Sequence, residues 1–342
     1  MDFVARLIGS PSVPGVRALL EGSVFESGGH EQRRVLLKHG AELAVHDRAA
    51  LLAGERAPET VFPLPWPGWD RGVHSVSPDS TFAVFSGQRS VRAVAADGGT
   101  LWSYVHGCWN QEVGHAHTGD EQQVCRGNAS GSCRVSDDGR LVWAHVVDSE
   151  EYGEHWVVLD ARDGRELARW ELDSAASGSW HTSHPDGVHM GLCVGMGQDG
   201  ALVYWGRWDG ETLAVHDELN EGLDRVLADV HPNHPGFLTI EHNLNDLQMH
   251  ALDGTLLAER RELPWDWCCG FLDGDTVLAT TGIEFSSDPE ETGTWLLDAR
   301  TLEIRGRVTY PPGTVDSVAR PLGDGTWLTH EHATETVRRW TL

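Results

Sequence analysis

The sequence of 342 residues lacks the features of a membrane or exported protein. No apolar run reaches the roughly 18 residues that a membrane-spanning helix needs. The first residues, MDFVARLIGSPSV, contain no basic segment followed by a long apolar core, so they do not resemble a secretory signal. We therefore expect a cytoplasmic protein without a membrane partner.

Positive charge is scarce in this chain. Lys and Arg number 26 against 52 Asp and Glu, the formal net charge is -26, and Lys38 is the single lysine. A surface this acidic repels phosphate backbones, so we expect no nucleic-acid partner. The simplest role of the charge is to keep the protein in solution, because net charge opposes association.

The motifs of common catalytic and metal sites are also missing. The sequence contains no G-x-S-x-G elbow, no P-loop and no H-E-x-x-H. No C-x-x-C pair occurs, so a zinc ribbon or a thioredoxin-like site is not expected. In a chain without an export signal we expect reduced thiols, and a disulfide between Cys108 and Cys125 stays an open alternative. The six cysteines are Cys108, Cys125, Cys133, Cys193, Cys268 and Cys269.

Helical periodicity is absent, and a strand–turn–strand unit recurs instead. The stretch LDARDGRELARWEL, from Leu159, shows the unit: an apolar segment, a turn on Asp163-Gly164, and a second alternating segment. Asp-Gly between two such segments is a strong hairpin signal. The corresponding turns lie at Asp47, Asp97, Asp163, Asp209, Asp253 and Arg300.

A second series of hairpins alternates with the first, with turns at Ser77, Ser136, His184, Asn233, Leu272 and Leu322. Two hairpins give four strands in about 45 residues, which is the size of a propeller blade. We therefore predict that residues 1–342 form an all-β, single-domain, seven-bladed β-propeller with four-stranded blades. The predicted blades span residues 16–60, 61–107, 130–172, 178–219, 223–263, 265–309 and 313–342.

The seventh predicted blade lacks its fourth strand, because its last segment, TVRRWTL, is only the third. An open sheet edge invites mispairing, so another strand is expected to cover it. Residues 2–8 have strand character and belong to no other blade. We predict that they complete the last blade and close the ring. The alternative is a six-bladed ring with residues 1–60 as an accessory element.

The pattern of turns resembles the WD40-like β-propellers, and it is shared by YVTN-like and quinoprotein-like propellers. Trp208-Asp209 matches the Trp-Asp dipeptide of the WD40 family, whereas Gly29-His30 and Gly114-His115 do not match its Gly-His signature. In such propellers the A–B and C–D turns share one face, the bottom face. The resemblance places the B–C loops and the D–A connections on the other face, the top face.

Long irregular segments fall on the predicted top face, and such segments often carry function. They are rich in tryptophan with carboxylates nearby, a combination that suits cationic or peptide-like ligands. We therefore predict a binding module for a protein, a peptide or a small cationic ligand. The alternative for each ring is packing between blades. The candidate ligand-binding residues are Trp66, Trp69, Asp70, Trp109, His115, His117, Trp180, His242, Trp265, Asp266, Trp267, His330 and His332.

Histidines motivate a second hypothesis, a metal-assisted enzyme with a His-lined site at the top of the central channel. Residues 106–129 form the longest departure from the repeat, and His115 and His117 would share one side of an extended segment there. Equivalent positions on strand A would ring the channel and offer a transition-metal site. Its candidates are His74, Cys133, His181 and Cys269. The alternatives are a polar loop or lid for the insert, core packing for the four residues, and a purely structural scaffold for the protein.

Overall fold

The computed structural model of the chain is an all-β, seven-bladed β-propeller, as the repeat predicts. Contacts divide the chain into two compact units: a first unit of residues 23–48 and 57–217, and a second unit of residues 1–22, 49–56 and 218–342. The structure describes residues 2–10, 34–69, 71–110, 125, 129–148, 153–220, 224–243, 245–282, 292–312, 314, 318–331 and 336–342.

The first unit contains blades one to four. Blade one has β3 (Arg34–His39), β4 (Glu42–Asp47) and β5 (Thr60–Pro63) among the described residues. Blade two has β6 (Ser75–Val76), β7 (Phe82–Ser86), β8 (Ser90–Ala95) and β9 (Thr100–Val105). Blade three has β10 (Cys133–Val135), β11 (Leu141–Val147), β12 (Glu154–Asp160) and β13 (Glu166–Leu172). Blade four has β14 (Gly178–Ser183), β15 (His189–Gly195), β16 (Ala201–Trp208) and β17 (Leu213–His216).

The second unit contains blades five to seven and the N-terminal strands β1 (Asp2–Val4) and β2 (Arg6–Gly9). Blade five has β18 (Arg225–Val230), β19 (Phe237–Glu241), β20 (Leu247–His250) and β21 (Leu256–Arg260). Blade six has β22 (Gly270–Phe271), β23 (Thr276–Thr281), β24 (Gly293–Asp298) and β25 (Ile304–Thr309). Blade seven has β26 (Ala319–Pro321), β27 (Thr326–Glu331) and β28 (Thr336–Thr341).

Helical structure is limited to short segments in the described residues. Two single-turn 3-10 helices span Gly197–Asp199 and Glu218–Asn220, and one α-helix, α1, spans Arg48–Leu52. None of the helices in this part of the chain combines the length and the apolar character that crossing a membrane requires.

The hairpin turns follow the sequence pattern, with one exception. The Asp163-Gly164 turn joins β12 to β13, and Gly164 adopts a φ of 71°, where a Cβ would lie 2.5 Å from the Trp102 ring. Only glycine fits this position without strain. The predicted turn at Asp47 is wrong, because α1 follows β4 and its Leu51 side chain is buried. The Ala-Leu run after Asp47 favours a helix over a tight hairpin turn.

The N-terminal segment completes the last blade, as predicted. Strand β2 pairs antiparallel with β28 at the sheet edge. The segment is not one strand, however, because β1 pairs in parallel with β25 and forms a fifth strand of blade six. Between them lies Ala5, which is 2% exposed and whose N–H donates to the Thr309 carbonyl at 2.9 Å. The six-bladed alternative is wrong, because β3, β4 and β5 form a sheet of their own.

The join between β1 and β2 gives a test of this arrangement. We expect Ala5→Asp to lower the free energy of unfolding by at least about 3 kcal/mol, because it places an unpaired charge beside Trp327 and Trp340 in the apolar cluster. The neighbouring control Val4→Asp changes a side chain that is 70% exposed and should alter stability by less than about 0.5 kcal/mol. Urea unfolding measures both. Equal effects of the two substitutions would contradict the placement of these strands.

Candidate functional site

Four of the predicted aromatic residues are buried. Trp66, Trp69, Trp109 and Trp265 all lie in the cores of their blades, and the indole N–H of Trp69 donates to the Ser86 carbonyl at 3.0 Å. The expectation that these rings face solvent is therefore wrong. Burying a large aromatic ring removes much apolar surface from water, and this gain in free energy favours the core at these positions.

Other predicted residues differ in their exposure. Asp266 and His330 are buried, and Trp180 is half-buried on β14. Four further candidates lie outside the described residues, namely Asp70, His115, His117 and His332. The 106–129 insert is therefore described only at residues 106–110, 125 and 129.

Two of the predicted ligand-binding residues lie together in the second unit. Trp267, in the connection between β21 and β22, is 38% exposed, and its ring lies 4.9 Å from that of His242, with an interplanar angle of 31°. The indole N–H of Trp267 also donates to the His242 carbonyl at 3.1 Å. The N–H of His242 in turn donates to the Asp224 carbonyl at 2.7 Å. This exposed indole therefore has a fixed orientation.

The four predicted metal candidates have other contacts. The His74 Nδ1 accepts a hydrogen bond from the Ser86 N–H at 3.3 Å, and burial and Lys38 lower the pKa of His74 to about 3. The Cys133 thiol donates to backbone carbonyls, and burial raises the pKa of Cys269 well above its ordinary value. None of the four, including His181, belongs to a group with metal-ligand spacing within the described residues.

A buried hydrogen-bonded chain joins blades three and four. It begins at Glu154, whose Oε2 lies 3.1 Å from the His145 Nε2, and the His145 Nδ1 lies 2.9 Å from the Ser179 Oγ. Burial raises the pKa of Glu154, but hydrogen bonds from His145, Ser174 and the Ala176 N–H outweigh it, so the pKa lies below its ordinary value. Glu154 is therefore an ionised acceptor at neutral pH.

The chain continues through two further side chains to an indole. The Ser179 Oγ lies 2.7 Å from the Ser132 Oγ, which lies 2.9 Å from the His181 Nδ1. The indole N–H of Trp156 donates to the His181 Nε2 at 2.9 Å. Burial, His145 and Arg134 lower the pKa of His181 well below its ordinary value, so this ring is neutral.

The two ends of the chain determine the direction of the hydrogen bonds next to them. An indole only donates, and an ionised carboxylate only accepts. The protons therefore point from Trp156 through the neutral His181 to Ser132 and on to Ser179, and His145 donates to Glu154. Every member is satisfied, which makes the network a rigid link between neighbouring sheets.

The order Ser179, His145 and Glu154 matches the order of a nucleophile, a base and an orienting acid. Ser179 and Ser132 are both buried, however, and the Ser179 hydroxyl also accepts from Ser132. The arrangement is therefore suited to holding the two blades together.

Removing the central hydroxyl of the chain should destabilise the fold. We expect Ser179→Ala to lower the free energy of unfolding by about 1–3 kcal/mol, because it leaves His145 and Ser132 buried with a missing partner. The control Ser177→Ala removes an exposed hydroxyl nearby and should change stability by less than about 0.5 kcal/mol. Chemical denaturation measures both, and a neutral Ser179→Ala would show that the chain contributes no net stability.

Asp229, a half-buried residue, lies on the first strand of blade five, in the second unit. The two oxygens of Asp229 accept the N–H groups of Val230 and Phe271, each at 2.8 Å. Burial raises the pKa of Asp229 to about 6, although these hydrogen bonds and Arg320 lower it. Asp229 is therefore a group that changes its protonation close to neutral pH.

The raised pKa of Asp229 gives a pH-dependent prediction. Its contribution to stability is fully present below the ordinary value of 3.8 and is lost as the pH rises through about 6. Carboxyl NMR on protein labelled with ¹³C-aspartate should show this midpoint, with the signal assigned by its loss in Asp229→Ala. Asp160, bonded to Arg162, is the control, with a pKa of about 2. An Asp229 midpoint below 4 would contradict the placement of this carboxyl.

The structure leaves the disulfide between Cys108 and Cys125 open. The two sulfur atoms lie 3.6 Å apart as hydrogen-bonded thiols. Burial and the neighbouring Cys108 raise the pKa of Cys125 to about 11, so this thiol stays protonated at neutral pH.

Comparison with known proteins supports the fold. No family model and no curated protein matches the chain. Among solved structures, the β-propeller domain of Cps50 (Swd1) from Myceliophteria thermophila gives a TM-score of 0.52 at 10% identity, covering 99% of both chains. The WD40 β-propeller domain of Doa1 gives a TM-score of 0.49 at 10% identity, covering 98% of this chain and 97% of that one. The resemblance to WD40 and other β-propellers, predicted from the turns, is confirmed at the level of the fold.

Proposed function

We propose that the protein is a noncatalytic interaction module whose contact surface includes Trp267. The β-propeller fold is typical of protein-interaction modules, but a fold by itself does not determine a function. The observation that carries the proposal is the exposed Trp267 ring, which lies against His242 and donates a hydrogen bond to its carbonyl.

A fixed, exposed indole is suited to binding. Tryptophan is among the residues that contribute most to interfaces when they are truncated, since one ring buries a large area. Binding normally costs the ordering of surface side chains, and Trp267 is already oriented by two contacts with His242. Little conformational freedom is then lost when a partner covers the ring.

The charge of the chain favours a basic partner. A net charge of -26 attracts Arg- and Lys-rich segments and accelerates their encounter at low salt. A guanidinium or ammonium group over the face of an indole adds a cation–π interaction. Of the ligand classes that the sequence allows, we therefore propose a basic peptide segment of a protein, bound at the top-face connections around Trp267.

The proposal is tested with protein that contains 5-fluorotryptophan. Its ¹⁹F signals are followed while Arg- and Lys-rich peptides are added, and Trp267→Phe assigns the signal of that residue. We expect a peptide that shifts the Trp267 signal, and we expect Trp267→Ala to weaken its binding by about 30-fold or more. Binding should also weaken as salt is added.

Leu256→Ala provides the matched control. Leu256 is 49% exposed in the same unit, and it is not part of the proposed contact surface. It should bind the same peptide as the wild type. Acidic peptides of equal length should not bind. Unchanged affinity in Trp267→Ala would remove Trp267 from the contact surface, and equal binding of acidic peptides would contradict the choice of a basic partner.

A further inference from the structure

The turn between β14 and β15 departs from the other turns of its kind in the first unit. In blade three, the corresponding turn begins with Ser136, whose hydroxyl donates to Asp138 at 2.7 Å. In blade four, His184 occupies the position of Ser136, and Asp186 occupies the position of Asp138. A second histidine, His189, begins the next strand. The sequence HPDGVH therefore places two imidazoles around one carboxylate.

The three side chains converge on one carboxylate oxygen. The Asp186 Oδ2 lies 3.0 Å from the His184 Nδ1 and 2.7 Å from the His189 Nδ1, and one ligating atom from each residue lies within 4.8 Å of the others. The Asp186 Oδ1 accepts the N–H groups of Val188 and His189, each at 3.0 Å. These backbone bonds hold the carboxylate in place and leave its other oxygen to the two rings.

The spacing fits the coordination of a transition metal. Imidazole nitrogens and carboxylate oxygens bind Zn²⁺ at about 2.0–2.2 Å. Two ligands at the tetrahedral angle around such an ion lie about 3.4 Å apart, given these bond lengths. The Asp186 oxygen lies 3.0 and 2.7 Å from the imidazole nitrogens, so outward shifts of less than about 1 Å would admit the ion.

The indole of Trp205 supports both imidazoles. Its ring lies stacked on His189, with centroids 6.1 Å apart and an angle of 17°, and it lies edge-on to His184 at 6.4 Å. Ring contacts of this kind restrict the rotation of both imidazoles. The two imidazoles are thus held in place by residues other than Asp186.

A second observation separates His184 from a merely structural turn residue. The His184 Nδ1, which faces the Asp186 carboxylate, accepts one backbone hydrogen bond, from the Asp186 N–H at 3.3 Å. The corresponding His231 of blade five uses both nitrogens, because Nδ1 accepts the N–H groups of Asn233 and His234 and Nε2 lies 3.1 Å from the Gly274 carbonyl. The nitrogen of His184 that would bind the ion is therefore less engaged by the backbone than the corresponding nitrogen of His231.

We propose that His184, Asp186 and His189 form a binding site for one divalent transition-metal ion. Two imidazoles and one carboxylate favour Zn²⁺, Co²⁺, Ni²⁺ or Fe²⁺ over Mg²⁺ and Ca²⁺, which prefer oxygen ligands. Asp186 is partly exposed, so the remaining coordination positions are open to water. The site lies in the first unit and does not depend on the proposed role of Trp267, which belongs to the second.

The test uses the full chain without a His tag and Zn²⁺ as the probe, in a calorimetric titration. We expect one equivalent of Zn²⁺ to bind, and His184→Gln and His189→Gln each to weaken binding at least tenfold. Two controls should bind like the wild type. Asp138→Asn alters the corresponding turn of blade three, and the double variant His115→Gln/His117→Gln alters the other histidine pair that the sequence offers. The proposal would be overturned if this double variant lost binding while His184→Gln and His189→Gln kept it.

A second measurement does not depend on how the variants fold. X-ray absorption at the zinc edge of the wild-type protein should show two imidazoles and oxygen ligands. Sulfur ligands would assign the ion to cysteines and overturn the proposal, as would a single imidazole. Undiminished binding in a folded His184→Gln/His189→Gln variant would identify the bound zinc as an adventitious ion only.

Discussion

A buried imidazole loses water as a hydrogen-bond partner, and the groups that replace this water join neighbouring parts of the protein. The chain contains 19 histidines, an excess that invites an active-site interpretation. In the first unit, His145 and His181 are instead satisfied members of the chain that links blades three and four. In the second unit, His231 is satisfied by backbone groups. Because these histidines are structural, a high histidine content does not by itself indicate a site, and His184 is informative through its convergence with Asp186 and His189.

The predictable part of the fold rests on turn chemistry. Asp-Gly turns such as Asp163-Gly164 need a residue that tolerates positive φ, so their positions can be found without a structure. The turn at Asp47 was misplaced because the Ala-Leu run that follows it forms a helix instead. The division of the N-terminal segment at Ala5 was not predictable either, since an alternating apolar pattern does not indicate which of two neighbouring sheets a strand joins.

Exposure of single aromatic residues could not be predicted from the same patterns. Trp265 and Trp267 lie two residues apart in one connection, yet the first is fully buried and the second is exposed. Alternation assigns such a pair to one side only within a regular strand, and this connection is not one. The contact of Trp267 with His242 requires the connection between β21 and β22 to approach the loop between β19 and β20. The spacing of residues along the chain does not predict this approach. The same reasoning applies to Glu154 and Ser179, whose places in the buried chain depend on the packing of two sheets.

The repeat offers a comparison that a non-repeating fold does not. The first hairpins of blades three, four and five have Ser136, His184 and His231 as the first residue of their connection. The first side chain of the Ser136 turn and of the His231 turn hydrogen-bonds within its own turn, whereas in blade four two imidazoles meet one carboxylate. The difference must arise from the local residues, and those that change are the ones that surround Asp186 with imidazole. A feature that the fold does not need is where a function added to the scaffold should be sought.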